Sequence, residues 1–490
     1  MRAVDLAKKL KKIVGKDGVL DRREDLMLYE YDGGVDRGTP EVVCFPQTTA
    51  QVSEILRLAT KHGVAIVPRG AGTGLSGGSI ARAGGIVLGF SRMNKILEID
   101  LPNQRAVVQP GVVNLDLTKA VEKQGYYFAP DPSSQKACTI GGNVAENSGG
   151  PHTLANGVTV NHVTGVEVVL PDGRVVELGG KANDACGYDL TGFFVGSEGT
   201  LGIATKITVR LSKLPEYVAT LLAIYNTVDD AANSVVALTA ACITPAALEM
   251  LDGWTLRTVE AATPAGYPLD SAAVLLIELE GVREQVEEDA DAVIAICKQV
   301  GARDVRRAAN EAERQRLWMG RKNAFGAVGR ISPSYYVQDG VIPRTKIPQT
   351  LAHIESVGKK YGLQIGNIFH AGDGNLHPLI LFDPRSKEQT ANTLAAGKEI
   401  LEYCISVGGS ITGEHGVGME KMDVMPMMFS DDSIEVMTRL RNVFNPAGTL
   451  NPQKVLPATR SCRETFNPGH ASLNDANAVG PSQDAPEAKA

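Results

Sequence analysis

Apolar residues in the first 210 positions fall in short runs separated by glycine, proline and polar residues, a pattern typical of β-strands. After the N-terminal segment, residues 49–61 and 115–124 show helical spacing, and Thr48 and Thr49 are candidate caps for the first of these two helices. Two helices are too few for a regular alternation of strand and helix, so this half is predicted to be an α+β domain. The predicted strands are residues 42–46, 64–68, 85–90, 96–100, 106–109, 163–170, 174–177 and 203–211.

Longer helical patterns begin at about Lys213. The predicted strands of this half are residues 218–223, 273–278, 363–369 and 376–382, and the predicted helices are residues 229–241, 283–300, 310–319, 347–361 and 430–445. A second α+β domain is therefore predicted. The residues after Pro457 are rich in Ser, Asn, Pro and Ala, which is the composition of a disordered tail.

The length of 490 residues is too great for one hydrophobic core and implies two main domains. Residues 2–14 predict a basic amphipathic helix. Such a helix can lie on an anionic membrane or pack its apolar side on a core, and the second arrangement is the commoner one. No apolar stretch is long enough to cross a bilayer.

Charge and cysteine usage exclude several classes of protein. The chain has 49 basic and 56 acidic residues without a long basic run, so nucleic acid is not an expected partner. Its seven cysteines are scattered and form no C-x-x-C pair, so neither a disulfide scaffold nor an iron–sulfur cluster is expected. A reducing compartment, the cytoplasm, is the predicted location.

The glycine-rich run 68–78 contains the pattern G-x-G-x-x-G at Gly72, Gly74 and Gly77, directly after a predicted strand. A dinucleotide fingerprint requires a helix next, but residues 79–85 are too short and end in two glycines, which disfavours NAD. Bare backbone amides beside Arg69 favour an anion site instead, and a plain flexible loop is the alternative. Residues 139–150 and 196–203 are predicted to form two further glycine-dense loops, and three such loops predict a groove for a long ligand with a pyrophosphate and a ring system.

Two histidines and a glutamate in the second half have metal-ligand character. His370 and His377 flank a Gly-Asp-Gly-Asn turn, and the predicted hairpin places them opposite each other on neighbouring strands. Glu414, in a second glycine-rich loop, is the natural third ligand. The set suits Zn, Fe or Mn, and a metal-free polar cluster is the alternative.

These motifs together resemble a known family. The three glycine-rich runs and Pro130-Asp131-Pro132-Ser133-Ser134 resemble the FAD-binding domain of the vanillyl-alcohol oxidase and p-cresol methylhydroxylase superfamily. The histidine segment, Glu414-His415 and residues 445–452 resemble its D-2-hydroxyacid dehydrogenase branch, in particular the FAD-binding subunits of bacterial glycolate oxidases. The resemblance spans residues 5–457.

The resemblance implies a fold in five parts. An N-terminal helix and lead-in (1–40) precede a two-subdomain α+β FAD-binding domain of the p-cresol methylhydroxylase type (41–212). An α+β substrate- and metal-binding domain with an antiparallel sheet follows (213–420). A helical C-terminal segment (421–457), with Asn451 and Lys454, returns to the FAD-binding domain, and a disordered tail (458–490) ends the chain.

The resemblance also implies the roles of individual residues. His370, His377 and Glu414 hold a divalent metal, His415 is the base, and Arg321 binds the substrate carboxylate. FAD is held non-covalently, because Ala71 and Thr73 stand in the loop where relatives with covalent flavin often carry a histidine. The implied FAD-binding residues are Pro68, Arg69, Gly70, Ala71, Gly72, Thr73, Gly74, Leu75, Pro130, Asp131, Ser134, Thr139, Gly141, Gly142, Asn143, Ala145, Asn147, Gly149, Gly150, Glu198, Gly199, Gly202, Ile203 and Asn451.

The implied function is FAD-dependent oxidation of a small D-2-hydroxy acid, glycolate or D-lactate, to the 2-oxo acid. Without a cysteine cluster of its own, the chain is expected to pass electrons to additional flavin and iron–sulfur subunits and on to quinone, in a complex at the inner face of the membrane. Leu379 replaces an asparagine of 2-hydroxyglutarate dehydrogenases, which argues against a second substrate carboxylate. D-2-hydroxyglutarate dehydrogenase, another FAD-linked alcohol or sugar-lactone oxidase, and a non-enzymatic flavin-binding module are the alternatives.

Overall fold

A computed structural model describes residues 3–182 and 187–457. The predicted tail, Cys186 and Cys462 lie outside the described residues. The α-helices are Ala3–Val14, Arg23–Leu26, Thr49–His62, Asn114–Val121, Ile140–Glu146, Thr153–Asn156, Leu190–Phe194, Val228–Ala240, Gly253–Ala262, Arg283–Val300, Glu311–Lys322, Ala324–Val328, Ile347–Tyr361, Lys387–Ser406, Met425–Met428 and Asp431–Phe444. Short 3₁₀ helices are Lys16–Gly18, Met27–Tyr29, Glu122–Gln124, Thr159–His162, Arg344–Lys346 and Met422–Val424.

The strands form two sheets in the first half, a small strand pair, and one large sheet in the second half. The first sheet has the order Val19–Leu20, Val42–Cys44, Ile86–Gly89, Ile66–Arg69. The second sheet has the order Ile96–Asp100, Arg105–Val108, Ile203–Arg210, Val163–Val169, Val175–Gly179. Ser212–Lys213 pairs with Tyr126–Tyr127. The seven-stranded sheet has the order Asp304–Arg307, Tyr217–Tyr225, Ala273–Gly281, Ala247–Asp252, Ile365–His370, Pro378–Phe382, Ser334–Val337.

Helix Thr49–His62 connects parallel strands of the first sheet. Thr48 caps it by accepting a hydrogen bond from the amide of Gln51, and Gly63 ends it in the left-handed conformation at φ 63°. The N-terminal helix Ala3–Val14 buries Leu6, Leu10 and Val14 in the same core, so the predicted packing of its apolar side is confirmed. Among residues 3–182 and 187–457, every helix is too short or too polar to span a bilayer.

The seven-stranded sheet is antiparallel throughout and carries helices on both faces. Leu221 belongs to a buried cluster that includes residues of the helices Val228–Ala240, Arg283–Val300, Ile347–Tyr361 and Lys387–Ser406. Its neighbour Leu222 belongs to a different cluster, which includes residues of the helices Gly253–Ala262, Glu311–Lys322 and Ala324–Val328. Because both faces are covered, the central strands are apolar almost continuously, which explains why the sequence indicated a strand at residues 273–278, within the observed strand Ala273–Gly281.

Residues near the C-terminus return to the first half of the chain. Leu450 forms a parallel bridge with Ile66, and the amide of Ile66 donates to the carbonyl of Thr449 over 2.8 Å. Lys454, fully buried, donates from Nζ to the carbonyl of Ile80 over 2.7 Å. These bonds bring the end of the described chain against the first sheet.

Candidate active site

A cavity of about 380 Å³ is lined by the glycine-rich segments of the first half and by residues of the second half. Its wall contains most of the cofactor residues expected from the sequence, together with Glu414 and His415. The predicted FAD-binding residues on this wall are Pro68, Arg69, Gly70, Ala71, Gly72, Thr73, Gly74, Leu75, Ser134, Thr139, Gly141, Gly142, Asn143, Ala145, Glu198, Gly199, Gly202 and Ile203.

Other predicted FAD-binding residues do not line this cavity: Pro130, Asp131, Asn147, Gly149, Gly150 and Asn451. The side chain of Asn451 is used within the protein, because Nδ2 donates to the carbonyls of Gly78 and Glu198. Asp131 binds His152 instead. Gly150 has a φ of 146°, and a Cβ there would lie 2.6 Å from the backbone of Asp131, so this glycine permits a close backbone approach rather than a cofactor contact.

The run 68–78 leaves strand Ile66–Arg69 and forms the cavity wall without a following helix, as the sequence predicted. The backbone amides from Ala71 to Gly74 donate to no backbone carbonyl of the described chain. Gly72, at φ 71°, turns the chain above the guanidinium of Arg69. A Cβ at Gly74 would meet no protein atom within 4 Å. This wall is therefore bare backbone that a ligand can approach closely.

The prediction that residues 139–150 form a loop was wrong. Residues Ile140–Glu146 form a helix, which Thr139 caps by accepting from the amide of Gly142 over 3.2 Å. A Cβ at Gly141 would lie 2.5 Å from Pro110, so this glycine permits helix and neighbouring loop to pack closely. The glycines were interpreted as loop residues because glycine is unfavourable inside a helix unless close packing requires it.

The predicted metal ligands converge. Nε2 of His370 lies 3.2 Å from Oε1 of Glu414, and Nε2 of His377 lies 3.1 Å from the same oxygen. The two imidazole centroids are 5.0 Å apart and the rings are nearly perpendicular. All three ligand atoms lie within 4.8 Å of one another, and all three residues are buried or half-buried. Two imidazole nitrogens and a carboxylate oxygen at this spacing suit a divalent transition metal.

The predicted hairpin register was wrong, although the imidazoles meet. Strands Ile365–His370 and Pro378–Phe382 pair with Asn367 opposite Pro378, and His370 bridges to Asn375 instead of His377. His370 and His377 are therefore diagonal neighbours, which are still within reach of long side chains. The turn is tighter than predicted because Gly374, at φ 79°, directs the chain back immediately.

The other ring nitrogens of both histidines face hydrogen-bond acceptors. Nδ1 of His370 lies 2.8 Å from Oε1 of Glu249, and Nδ1 of His377 lies 3.3 Å from the carbonyl of Gln338. Burial opposes the charged imidazolium of His370, but Glu249 and Glu414 outweigh burial and raise its pKa. The same two carboxylates create the negative field that attracts a divalent cation.

Asp339 holds the loop that carries Glu414 and His415. Its buried carboxylate accepts from the amides of Gly413, Glu414 and His415 at 3.0, 3.2 and 2.9 Å and lies 3.4 Å from Nζ of Lys421. The ring of His415 stacks on that of His377 with centroids 4.9 Å apart. Burial lowers the pKa of His415 to about 4, so its imidazole is neutral at neutral pH. Both Glu414 and His415 line the cavity.

Arg321 does not line the cavity. Its side chain is 1% exposed, and Nε donates to Oε2 of Glu249 over 2.6 Å, whereas Nη1 has no hydrogen-bond partner among the described residues. The next residue, Lys322, does line the cavity, together with Phe325 and Tyr335. These three residues were not predicted from the sequence, although the position of Lys322 and Phe325 just after the predicted arginine was an available signal.

Glu198 lines the cavity, but its carboxylate is bonded within the protein. The oxygens accept from the amides of Val417 and Gly418, both at 2.8 Å. Val417 and Gly418 directly follow the loop of Glu414 and His415. Glu198 therefore connects a glycine-rich segment of the cavity wall to the loop that carries Glu414 and His415.

A buried charge cluster also joins the two halves. Nδ1 of His152 lies 2.9 Å from Asp131, and Nε2 lies 3.2 Å from Glu278, which also binds Arg314. Burial alone would lower the pKa of His152, but the two carboxylates outweigh burial and raise this pKa to about 10. His152 is therefore a cation at neutral pH and bridges carboxylates from both halves.

This cluster predicts a pH dependence of stability. The pKa of His152 is raised from 6.5 to about 10 on folding, so its stabilisation is complete below about pH 6.5 and is lost as the pH rises towards 10. We expect the gap in urea-unfolding midpoint between wild type and His152→Gln to be larger at pH 6 than at pH 10. His62→Gln, on an exposed histidine, should show no such trend. A gap for His152→Gln that is equal at both pH values would contradict the role of this cation.

Comparison with known proteins agrees with this architecture. Residues 40–179 match the family profile for an FAD binding domain, and residues 214–455 match the profile for the C-terminal domain of FAD linked oxidases. Glycolate oxidase subunit GlcD of Escherichia coli K12 is 46% identical over 91% of this chain and 90% of that protein. The chain belongs to the FAD-linked oxidases. The expected flavoprotein and oxidoreductase class is thereby confirmed, and so is FAD as the cofactor.

Other FAD-linked oxidases are similar over most of their length. GlcD of Bacillus subtilis is 44% identical over 92% of this chain and 96% of that protein. The mitochondrial D-lactate dehydrogenase [cytochrome] of Arabidopsis thaliana is 31% identical over 85% of this chain and 74% of that protein. Among solved structures, p-cresol methylhydroxylase superposes with a TM-score of 0.79 at 20% identity, covering 92% of this chain and 96% of that one. That likeness confirms the predicted fold class.

Proposed function

We propose that this protein oxidises a small D-2-hydroxy acid, glycolate or D-lactate, to the 2-oxo acid with non-covalent FAD and a divalent metal. One observation carries the proposal: the Nε2 atoms of His370 and His377 meet Oε1 of Glu414, and Glu414 and His415 line the cavity formed by the glycine-rich segments. The similar proteins named as glycolate oxidase subunits and D-lactate dehydrogenases support this substrate class.

His370, His377 and Glu414 would hold the metal. Their donor set fits Zn, Fe or Mn, because both Nε2 atoms are directed at the carboxylate while each Nδ1 faces an oxygen acceptor. When bound, such an ion polarises the oxygens of a hydroxy acid and makes its hydroxyl easier to deprotonate. The protein's own part is to hold the three ligands together, with His377 and Glu414 on the cavity wall, and to leave coordination positions open.

His415 is the proposed base. Its ring is stacked on His377, and its loop is fixed by Asp339, so it holds one position beside the metal ligands. A neutral imidazole accepts the hydroxyl proton of the substrate. Bound FAD supplies the hydride acceptor at its N5 position.

Arg321 is the proposed partner of the substrate carboxylate. A buried guanidinium nitrogen without an acceptor is costly, so the unpartnered Nη1 supports a role in anion binding. Lys322, the next residue in the sequence, lines the cavity and adds positive charge to its wall. Leu379 is fully buried in the core and offers no polar group for a second carboxylate, which favours a monocarboxylic substrate.

Non-covalent FAD is proposed because the first glycine-rich run offers no nucleophile. Ala71 and Thr73 occupy the places where a histidine would attach flavin. Cys138 is on the cavity wall, but burial raises the pKa of its thiol, which makes the thiol unreactive.

Partner subunits are proposed to receive the electrons. Among the described residues, the groups that could bind a metal contain no cysteine, so this part of the chain offers no cysteine ligands for an iron–sulfur cluster. The similar GlcD proteins are named as subunits, which supports membership of a complex. We propose that its other members are flavin and iron–sulfur subunits and that it lies at the inner face of the membrane. Native pull-down should recover these partners, whereas full quinone-linked activity of the chain alone would contradict the complex.

Anaerobic reduction of the flavin tests the substrate class. We expect glycolate and D-lactate to bleach the FAD absorbance, and L-lactate and D-2-hydroxyglutarate to act much more slowly. Bleaching by an aryl alcohol or a sugar lactone, with none by the hydroxy acids, would favour the other FAD-linked oxidases instead.

A further inference from the structure

Glu249 uses both of its carboxylate oxygens inside the protein. It lies in the central strand Ala247–Asp252 and is 0% exposed. Oε1 lies 2.8 Å from Nδ1 of His370, and Oε2 accepts from Nε of Arg321 over 2.6 Å. The carboxylate therefore connects a proposed metal ligand with the proposed carboxylate-binding arginine.

This contact decides which nitrogen of His370 carries the proton. A carboxylate is only an acceptor, so Nδ1 of His370 must be the N–H donor in this bond. In a neutral imidazole the lone pair then resides on Nε2, the atom that faces Glu414. The hydrogen bond from Nδ1 to Glu249 thus fixes the tautomer of His370 that can bind a metal.

We propose that Glu249 is a positioning residue that holds His370 in its metal-binding tautomer, and that Arg321 holds Glu249 in turn. The inference rests on the proposed function, because it requires a cation at His370, His377 and Glu414. His377 has a different partner, since the acceptor within hydrogen-bond distance of its Nδ1 is the backbone carbonyl of Gln338 at 3.3 Å, and the carboxylate of Asp339 lies further away, at 3.9 Å. A direct hydrogen bond from Nδ1 to an ionised side chain is therefore made by His370 and not by His377.

A glutamine at position 249 would reverse the tautomer. It offers one oxygen and one NH₂ group to two neighbours that both donate. The charged Arg321 takes the oxygen because charge-assisted hydrogen bonds are stronger, which leaves the NH₂ group to face His370. Nδ1 must then accept, the proton moves to Nε2, and the metal-binding lone pair is lost.

Glu278 provides a matched control. It lies on the adjacent strand, is 1% exposed, and also binds an arginine, Arg314, but it does not contact a metal ligand. Glu278→Gln removes a buried carboxylate of the same sheet without changing the environment of His370. General loss of stability is therefore separated from loss of the tautomer.

The test is Zn²⁺ affinity of chelator-stripped, FAD-loaded protein, measured by competition with a chromogenic chelator. We expect Glu249→Gln to weaken Zn²⁺ binding by about 10–100-fold, as for other partners of metal-bound histidines, and Glu278→Gln to leave it unchanged. FAD content and thermal melting are recorded for each variant. Equal Zn²⁺ affinity of Glu249→Gln and wild type would overturn the inference, and so would an equal loss in Glu278→Gln.

A double variant makes the test independent of folding defects. In Glu249→Gln with Arg321→Met, the glutamine oxygen is free to accept from Nδ1 of His370, so Zn²⁺ affinity should recover towards that of wild type. A double variant that binds no better than Glu249→Gln alone would overturn the inference. Failure of the proposed function is recognised separately: wild type itself would then bind Zn²⁺ no better than His377→Ala, and the inference would fall with it.

Discussion

His377→Ala is expected to abolish 2-hydroxy acid oxidation while leaving FAD bound. The substitution removes one of two imidazole nitrogens that meet Glu414, so the proposed metal loses a ligand. Metal assistance contributes several kcal/mol to such reactions, which corresponds to a loss of about 1,000-fold or more in kcat. The measurement is the rate of flavin reduction by glycolate and D-lactate, together with the FAD content of the purified protein.

His353→Ala is the matched control for this variant. His353 lies in helix Ile347–Tyr361 and stacks on Tyr403 of helix Lys387–Ser406. It does not line the cavity, so its loss should change neither activity nor FAD content. Loss of FAD together with activity in His377→Ala would contradict the assignment of FAD binding to the glycine-rich segments of the first half. Wild-type activity in His377→Ala would refute the metal role.

Gly74→Val is expected to have the opposite effect and release FAD from a folded protein. A Cβ at this position meets no protein atom within 4 Å, and φ is not in the left-handed region, so the fold should accept the side chain. The added atoms would take space from the ligand. Overpacking of this kind costs about 1–3 kcal/mol, which weakens binding by about 10–100-fold.

Gly180→Val controls for the introduction of valine. Gly180 also has open space around its Cβ, but it does not line the cavity. FAD affinity is measured after removal and titration of the cofactor, and circular dichroism checks the fold. A normal flavin spectrum and affinity in Gly74→Val would show that the run 68–78 does not contact FAD.

Helices and strands with a strong local pattern could be predicted from the sequence alone. Helices Arg283–Val300 and Ile347–Tyr361 were predicted with their observed bounds, because apolar positions recur at helical spacing. Strand Ala247–Asp252 was missed because it carries Glu249 in a fully buried position, where a simple pattern expects an apolar residue. Charged Asp304–Arg307 was missed for a related reason: as an edge strand it follows no continuous apolar run.

The site was predictable in part. The ligands His370, His377 and Glu414 could be proposed from residue type and glycine-rich surroundings, and the structure brings them together. The residues that hold these ligands in place could not be predicted, because Glu249 and Asp339 are distant from them in sequence and belong to no motif. Their effect appears only when the central strands and the Glu414 loop are adjacent. The same limit applies to Arg321, whose bond to Glu249 depends on the packing of helix Glu311–Lys322.

Reduction of the flavin with and without a metal ion is the decisive measurement of whether His370, His377 and Glu414 hold a metal that the reaction needs. FAD-loaded protein is treated with a chelator, mixed anaerobically with glycolate or D-lactate, and then supplied with Zn²⁺, Fe²⁺ or Mn²⁺ while the flavin absorbance is followed. We expect the chelated protein to stay yellow and to bleach only after one of these ions is restored, and we expect no restoration in His377→Ala. Rapid bleaching of the metal-free protein would contradict this need for a metal.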